Sequence, residues 1–272
     1  MTSIHTNLSA LVALRTLSTV QTNLSATSKR VSTGYTVSDA FDNGAIFAIA
    51  QTIRNNIAGI VAVNSQLGGA SGLLAVANAS LGQVSDLLTQ LRDVLTRLSD
   101  QSISSDTRAQ LTTQYTALLN TINNNLTTAT YQGTNLITTS GTIGVIQDVL
   151  ANQLTLQGQN STIGTVVSGL SLAAATSLTS AGTFLLQTFL TELNLVATSL
   201  NIVGSLNQRV NNQTTYNNGV HDALTEGLGA LIDANLPAES ARLQALQVQQ
   251  QLATQSLAIA NQGPSVLLTL FR

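Results

Sequence analysis

Cysteine is absent from this 272-residue chain, which excludes thiol catalysis, disulfides and thiolate metal sites, and suits an exported protein that must not cross-link on its way out. Charge is almost as scarce. Only 8% of residues are charged, against about 25% in an ordinary soluble domain, and Ser, Thr, Asn and Gln fill the gap. Weakly charged surfaces resist association poorly, and short neutral side chains desolvate readily once they find hydrogen-bond partners, so such a surface suits close packing. Lysine occurs once, at Lys29, and the net charge is −2, which leaves little attraction for a phosphate backbone. Tryptophan is absent, and with a single lysine and polar-interrupted stripes this argues against a membrane-active or lipid-surface helical protein. Met1 to His5 has no positive segment leading into an apolar one, so no general secretory signal is expected and export would need another route. The uncharged stretches 55–85 and 149–191 are interrupted throughout by Asn, Ser, Thr and Gly and do not read as membrane spans.

What is present is helical periodicity. Positions seven apart read Ile46, Ile53, Ile60, Leu67, Leu74, Leu81, Leu88 and Leu95. The companion row reads Ile49, Asn56, Val63, Ala70, Ala77, Val84, Leu91 and Leu98. Two such rows predict a coiled-coil-like helix, about 80 Å long at 1.5 Å per residue. Gly59, Gly68, Gly69, Gly72 and Gly82 weaken it by about 1 kcal/mol each relative to Ala, so tertiary packing, through close approach of another helix, is expected to compensate. A second seam runs through Leu186, Phe189, Leu193, Val196, Leu200, Val203 and Val210 to Leu224 and Leu231. These two helices are natural partners. A third helix is predicted from Asp106 to Ala129, capped by Ser104 or Ser105, with Leu111, Tyr115, Leu118, Ile122 and Leu126 on one side.

Both ends carry weakly apolar stripes that need a partner. One holds Ala10, Leu14, Leu17, Leu24 and Val31; the other holds Leu243, Leu246, Ala253, Leu257 and Ala260, with a start at Asn235-Leu236-Pro237 and an end at Gly263-Pro264. From Thr130 to Gly182 the period is lost, and β-hairpins and loops are predicted. The expected fold is therefore mainly α: a long helical bundle with paired terminal helices and a small hairpin and loop region in the middle. The expected organisation is a pair of terminal helices at 1–33 and 233–272, a connecting loop at 34–45, a bundle from 46–129 and 183–232, and the hairpin region at 130–182.

Groups for catalysis are few. His5 and His221 lie on different segments, and each reads more simply as a packed or solvated side chain than as a metal ligand or general base. Asp39 and Asp42 are not followed by a loop with calcium-ligand spacing, and turn formation explains them. Sequons such as Asn125-Leu126-Thr127 arise by chance in a chain so rich in Asn and Thr. No enzyme activity, cofactor or metal is expected.

The ends are more specific than the periodicity. Arg30-Val31-Ser32-Thr33-Gly34-Tyr35, then Val37-Ser38-Asp39-Ala40 and Asp42-Asn43-Gly44-Ala45, closely resemble the N-terminal signature of bacterial flagellins. Glu239 through Leu252, then Ile259-Ala260-Asn261-Gln262 and the terminal Leu270-Phe271-Arg272, resemble the C-terminal one. The resemblance covers 1–130 and 183–272 and suggests a minimal member without large variable outer domains. It implies a self-assembling subunit of the extracellular flagellar filament, the bacterium's propeller, in which terminal helices form an inner tube and the bundle a surrounding shell. Subunit packing is then expected at Leu14, Leu17, Leu24, Val31, Leu243, Leu246, Leu257, Phe271 and Arg272. The bundle seam is expected at Ile46, Ile53, Ile60, Leu67, Leu74, Leu81, Leu88, Leu95, Leu193, Leu200 and Val203.

The implied partners are copies of the chain, the flagellar type III export apparatus with an export chaperone, and hook-associated and cap proteins. Immunogenic members carry Arg and Glu where this chain has Gln90 and Gln114, so weak activation of the innate flagellin receptor is expected. The nearest alternative in the same class is a hook-filament junction protein.

Overall fold

The computed structural model describes residues 6–173 and 178–270, with side chains apart from those of 161–162, 171–188 and 263–270. His5, Phe271, Arg272 and the side chain of Leu186 lie outside that description. The elements are α1 (Leu8–Thr33), α2 (Gly44–Leu98), α3 (Ser105–Thr128), β1 (Thr142–Ile146), β2 (Gln153–Gln157), α4 (Asn160–Ala173), α5 (Leu178–Ile232) and α6 (Leu236–Leu270). The chain divides into two compact units, residues 1–55 with 223–272, and residues 56–222.

The terminal unit joins α1 to α6 as an antiparallel pair. Asn7 lies against Ala260, Gln21 against Gln250, and Arg30 against Glu239. Gly34 ends α1 in a left-handed conformation at φ 75° and donates its N–H to Arg30 O. Only glycine holds that conformation without strain. The chain then pairs briefly with the end of α5: Thr36 N–H donates to Ile232 O at 2.6 Å and Ala234 N–H to Gly34 O at 2.9 Å. Val37, Ala50 and Ile232 form a small core there, lined by Ile46, Phe47 and Leu228. That core draws the first turns of α2 into the terminal unit, so the two compact units divide within α2 at 55/56.

The second unit is built on α2. From Ile60 to Leu95 and from Val63 to Leu91 both heptad rows are buried. Against them pack Phe189, Val196, Val203 and Val210 of α5, Tyr115, Ile122 and Leu126 of α3, and Leu154 and Leu156 from the inner face of β2. Ser80 Oγ donates to Asn125 O, pinning α2 to α3. Ser104 caps α3 by accepting from Thr107 N–H. By length and composition α2 and much of α5 are apolar enough to cross a membrane, but their apolar faces make this shared core.

Three expectations need correction. Residues 160–173 are helical, not loop: Ile163, Val166 and Leu170 repeat at three and four and are buried, while β-branched residues and Gly164 and Gly169 mask the period in the sequence. Helix α6 does not end at Gly263-Pro264 but runs to Leu270. The glycines of α2 are not met by another helix. A methyl group at Gly72 would lie 2.7 Å from the Tyr131 ring, and one at Gly59 would lie 2.9 Å from Val149, both from loops; Gly68, Gly69 and Gly82 face open space.

Candidate assembly surface

The pairing of α1 with α6 buries little. Val20, Thr27, Leu246 and Ala253 are enclosed, whereas Leu17, Leu24, Val31, Leu243 and Leu257 are half-buried. Leu14 is exposed, as are Leu8, Leu11, Val12, Val248, Leu252 and Ile259. An apolar row on each helix thus faces outward. Two grooves follow the pair. One, of about 530 Å³, is lined by Val12, Val20, Leu252, Ala253 and Ala260 among others. The other is lined by Leu14 and Leu17 with six polar residues. Burial of apolar area is the main driving force for association, and these faces leave such area exposed.

Asn7 shows why the ends hold together. Its Oδ1 accepts from Ala10 N–H and caps α1. Its Nδ2 donates to Ala260 O at 2.8 Å. Ala260 is four residues before Pro264, which has no N–H to give, so that carbonyl loses its helical donor. Asn7 replaces it, which offsets one cost of carrying α6 past Pro264.

The loop from Gly34 to Asn43 is tied down by charge. Lys29 Nζ lies 2.6 Å from Asp39 and 2.9 Å from Asp42. Asp42 also accepts from the backbone and hydroxyl of Ser38, and Asp39 accepts from Phe41 N–H. Lys29 holds both carboxyls below their usual range, and the two carboxylates raise Lys29 in turn. Arg54 stacks 5.9 Å above Tyr35.

Of the expected seam, Ile60, Leu67, Leu74, Leu81, Leu88, Leu95 and Val203 are buried in the second unit and Leu193 and Leu200 half-buried there, while Ile46 and Ile53 are half-buried in the terminal unit. The α5 positions beside the two half-buried leucines, Glu192 and Ser199, go fully inside. Glu192 packs on Gly169 of α4, its Oε2 has no partner, and burial pushes its carboxyl upward. Tyr115 donates to Leu170 O at 2.7 Å, capping a carbonyl in the last turn of α4. A cluster of amides holds the hairpin turn: Gln213 and Asn217 both donate to Gln147 O, and Asn217 donates to Asn64 Oδ1. Sequence reading missed these positions because it scores Thr27, Glu192, Ser199 and Asn217 as surface residues.

His221 lies 3.2 Å from Asp222. Among the described residues no group of three or more His, Cys, Asp or Glu could hold a metal ion.

Residues 4–142 match the bacterial flagellin N-terminal helical region, and residues 185–271 match the corresponding C-terminal helical region. A flagellin of Brucella melitensis biotype 1 is 32% identical over 284 residues, with all of both chains covered. Flagellin FljO of Caulobacter vibrioides is 32% identical over 275 residues, covering all of this chain and 99% of its own. Among solved structures, a putative flagellar hook-associated protein from Vibrio parahaemolyticus superposes with a TM-score of 0.62 at 12% identity, covering 71% of this chain and all of that one. At that identity the likeness is one of fold.

Proposed function

The chain belongs to the bacterial flagellin family, a structural protein family, and is a subunit of the extracellular flagellar filament; from that premise we propose which of its surfaces do the assembling. The terminal pair drives polymerisation, with Leu14, Leu17, Leu24, Val31, Leu243, Leu246, Leu257, Phe271 and Arg272 as its packing residues. The observation that carries this is the outward apolar rows of α1 and α6, which one copy leaves in water. Helices that bury so little alone gain their stability from the assembly. The bundle seam from Ile46 to Leu95, with Leu193, Leu200 and Val203, supplies the stiff part that transmits rotation. The terminal helices 1–33 and 233–272 serve as inner tube, and the bundle 46–129 with 183–232 as the shell around it.

The chain reaches the filament through the flagellar export apparatus with a chaperone, and meets hook-associated and cap proteins at the filament's ends. Its function is mechanical and involves no turnover chemistry. Gln90 and Gln114 are exposed and uncharged, which supports weak activation of the innate flagellin receptor. A reporter assay giving the potency of a strong agonist would overturn that.

Electron microscopy of the purified chain after seeding or salting-out, beside a truncation lacking residues 237–272, tests the assembly surface. Filaments from the full chain alone are the expected result. Filaments from both would remove the terminal pair from the assembly role.

A further inference from the structure

Phe41 is fully exposed, with a relative accessibility of 101%. Its loop is nevertheless well braced. Asp39 accepts its N–H at 2.8 Å, Lys29 clamps Asp39 and Asp42 on either side, and Asn43 accepts from Ile46 N–H to start α2. A braced loop holds the ring out of reach of its own surface. An aromatic side chain presented this way meets a partner with little ordering cost.

The groove of about 530 Å³ between α1 and α6 is the matching cavity. No charged residue lines it, and Val12 and Leu252 on its walls are more than half exposed. The second groove is mostly polar-lined and suits a phenyl ring less well. A copy cannot fill its own groove: the lining on α1 stops at Val20, and Thr33 lies thirteen positions further on, about 20 Å of helix before the loop even starts.

We propose that Phe41 of one copy inserts into the α1/α6 groove of another copy and anchors that contact. The inference rests on the filament reading. Knob and hole lie on different parts of one surface, so the contact is heterologous and need not close into a dimer, and repetition gives an open polymer.

The test is the critical concentration for polymerisation of the full chain carrying Phe41→Ala and, separately, Phe41→Leu. Phe41→Ala is expected to raise it at least tenfold and Phe41→Leu by less, as for an interface hot spot, while monomer melting stays unchanged because the ring packs on nothing in the free chain. As a second readout, p-benzoylphenylalanine placed at position 41 is expected, on irradiation of filaments, to cross-link to the peptide segments 9–20 or 249–260 of another copy. An unchanged critical concentration for Phe41→Ala, or cross-links confined to other segments, overturns the proposal and leaves the filament reading standing. Absence of filaments from the wild-type chain overturns both.

Discussion

Single residues carry much of what is unusual here, and Glu192 is the clearest. Its carboxyl is buried, Oε2 has no partner, and burial raises its affinity for a proton. Above the ordinary carboxyl value of 4.5 the native state therefore binds a proton that the unfolded state has released. Stability must then fall as pH rises from there through the raised native value. Glu192→Gln stays neutral throughout, so it is expected to raise stability at pH 7 by about 1 kcal/mol, the scale of an unsatisfied buried group, and to change little near pH 4. Urea denaturation at the two pH values checks this; equal effects at both would contradict it. The Lys29 cluster has the opposite sign, since carboxyls held below 3.8 contribute above that pH and lose their contribution as it falls. Asn7→Asp separates the two tasks of Asn7. The carboxylate still caps α1 but cannot donate to Ala260 O, so hydrogen exchange beyond Ala260 is expected to quicken about fivefold, for a lost bond worth about 1 kcal/mol, while the start of α1 keeps its protection.

Elements obey the rows that the sequence sets out, with local exceptions made by neighbours. In α2 the glycines form a natural comparison. Gly69 faces open space, so Gly69→Ala is expected to stabilise the second unit by about 1 kcal/mol through helix propensity alone. Gly72 lies under the Tyr131 ring, so Gly72→Ala must displace that ring and is expected to cost stability, by about 1–3 kcal/mol as for an overpacked site. Melting of the two variants side by side gives shifts of opposite sign if the ring sits as described. The α4 helix was illegible for a related reason. Its apolar spacing is short, its glycine content is high, and its partners Tyr115 and Glu192 come from distant segments.

For the whole molecule the scarcity of charge matters most. With 22 formally charged residues in 272, ten basic and twelve acidic, contacts between copies are expected to rest on apolar area and neutral hydrogen bonds. Screening by sodium chloride is then expected to change the critical concentration for filaments only slightly, about threefold or less between 0.05 and 0.5 M, because few long-range attractions exist to screen. Sulfate is expected to lower it strongly, since excluded salts favour burial. Light scattering across both salts measures this, and a steep weakening by sodium chloride would point instead to ion pairs as the driving contacts.

The helical class, the heptad rows from Ile60 to Leu95, the third helix with a serine cap at Ser104 or Ser105 and the two family signatures were all legible in the chain, because periodicity and local capping are properties of neighbours in sequence. The structure decided what depends on distant neighbours. Thr27 and Ser199 are enclosed while Leu24 and Leu200 on the expected stripes are only half-buried, α6 continues past Pro264, and Phe41 stands out in water. The donor that helps α6 continue comes from Asn7, 253 residues away from the carbonyl it serves. A neutral polar side chain goes inside or stays outside according to whether another segment meets it, and no pattern along one segment contains that segment's partner.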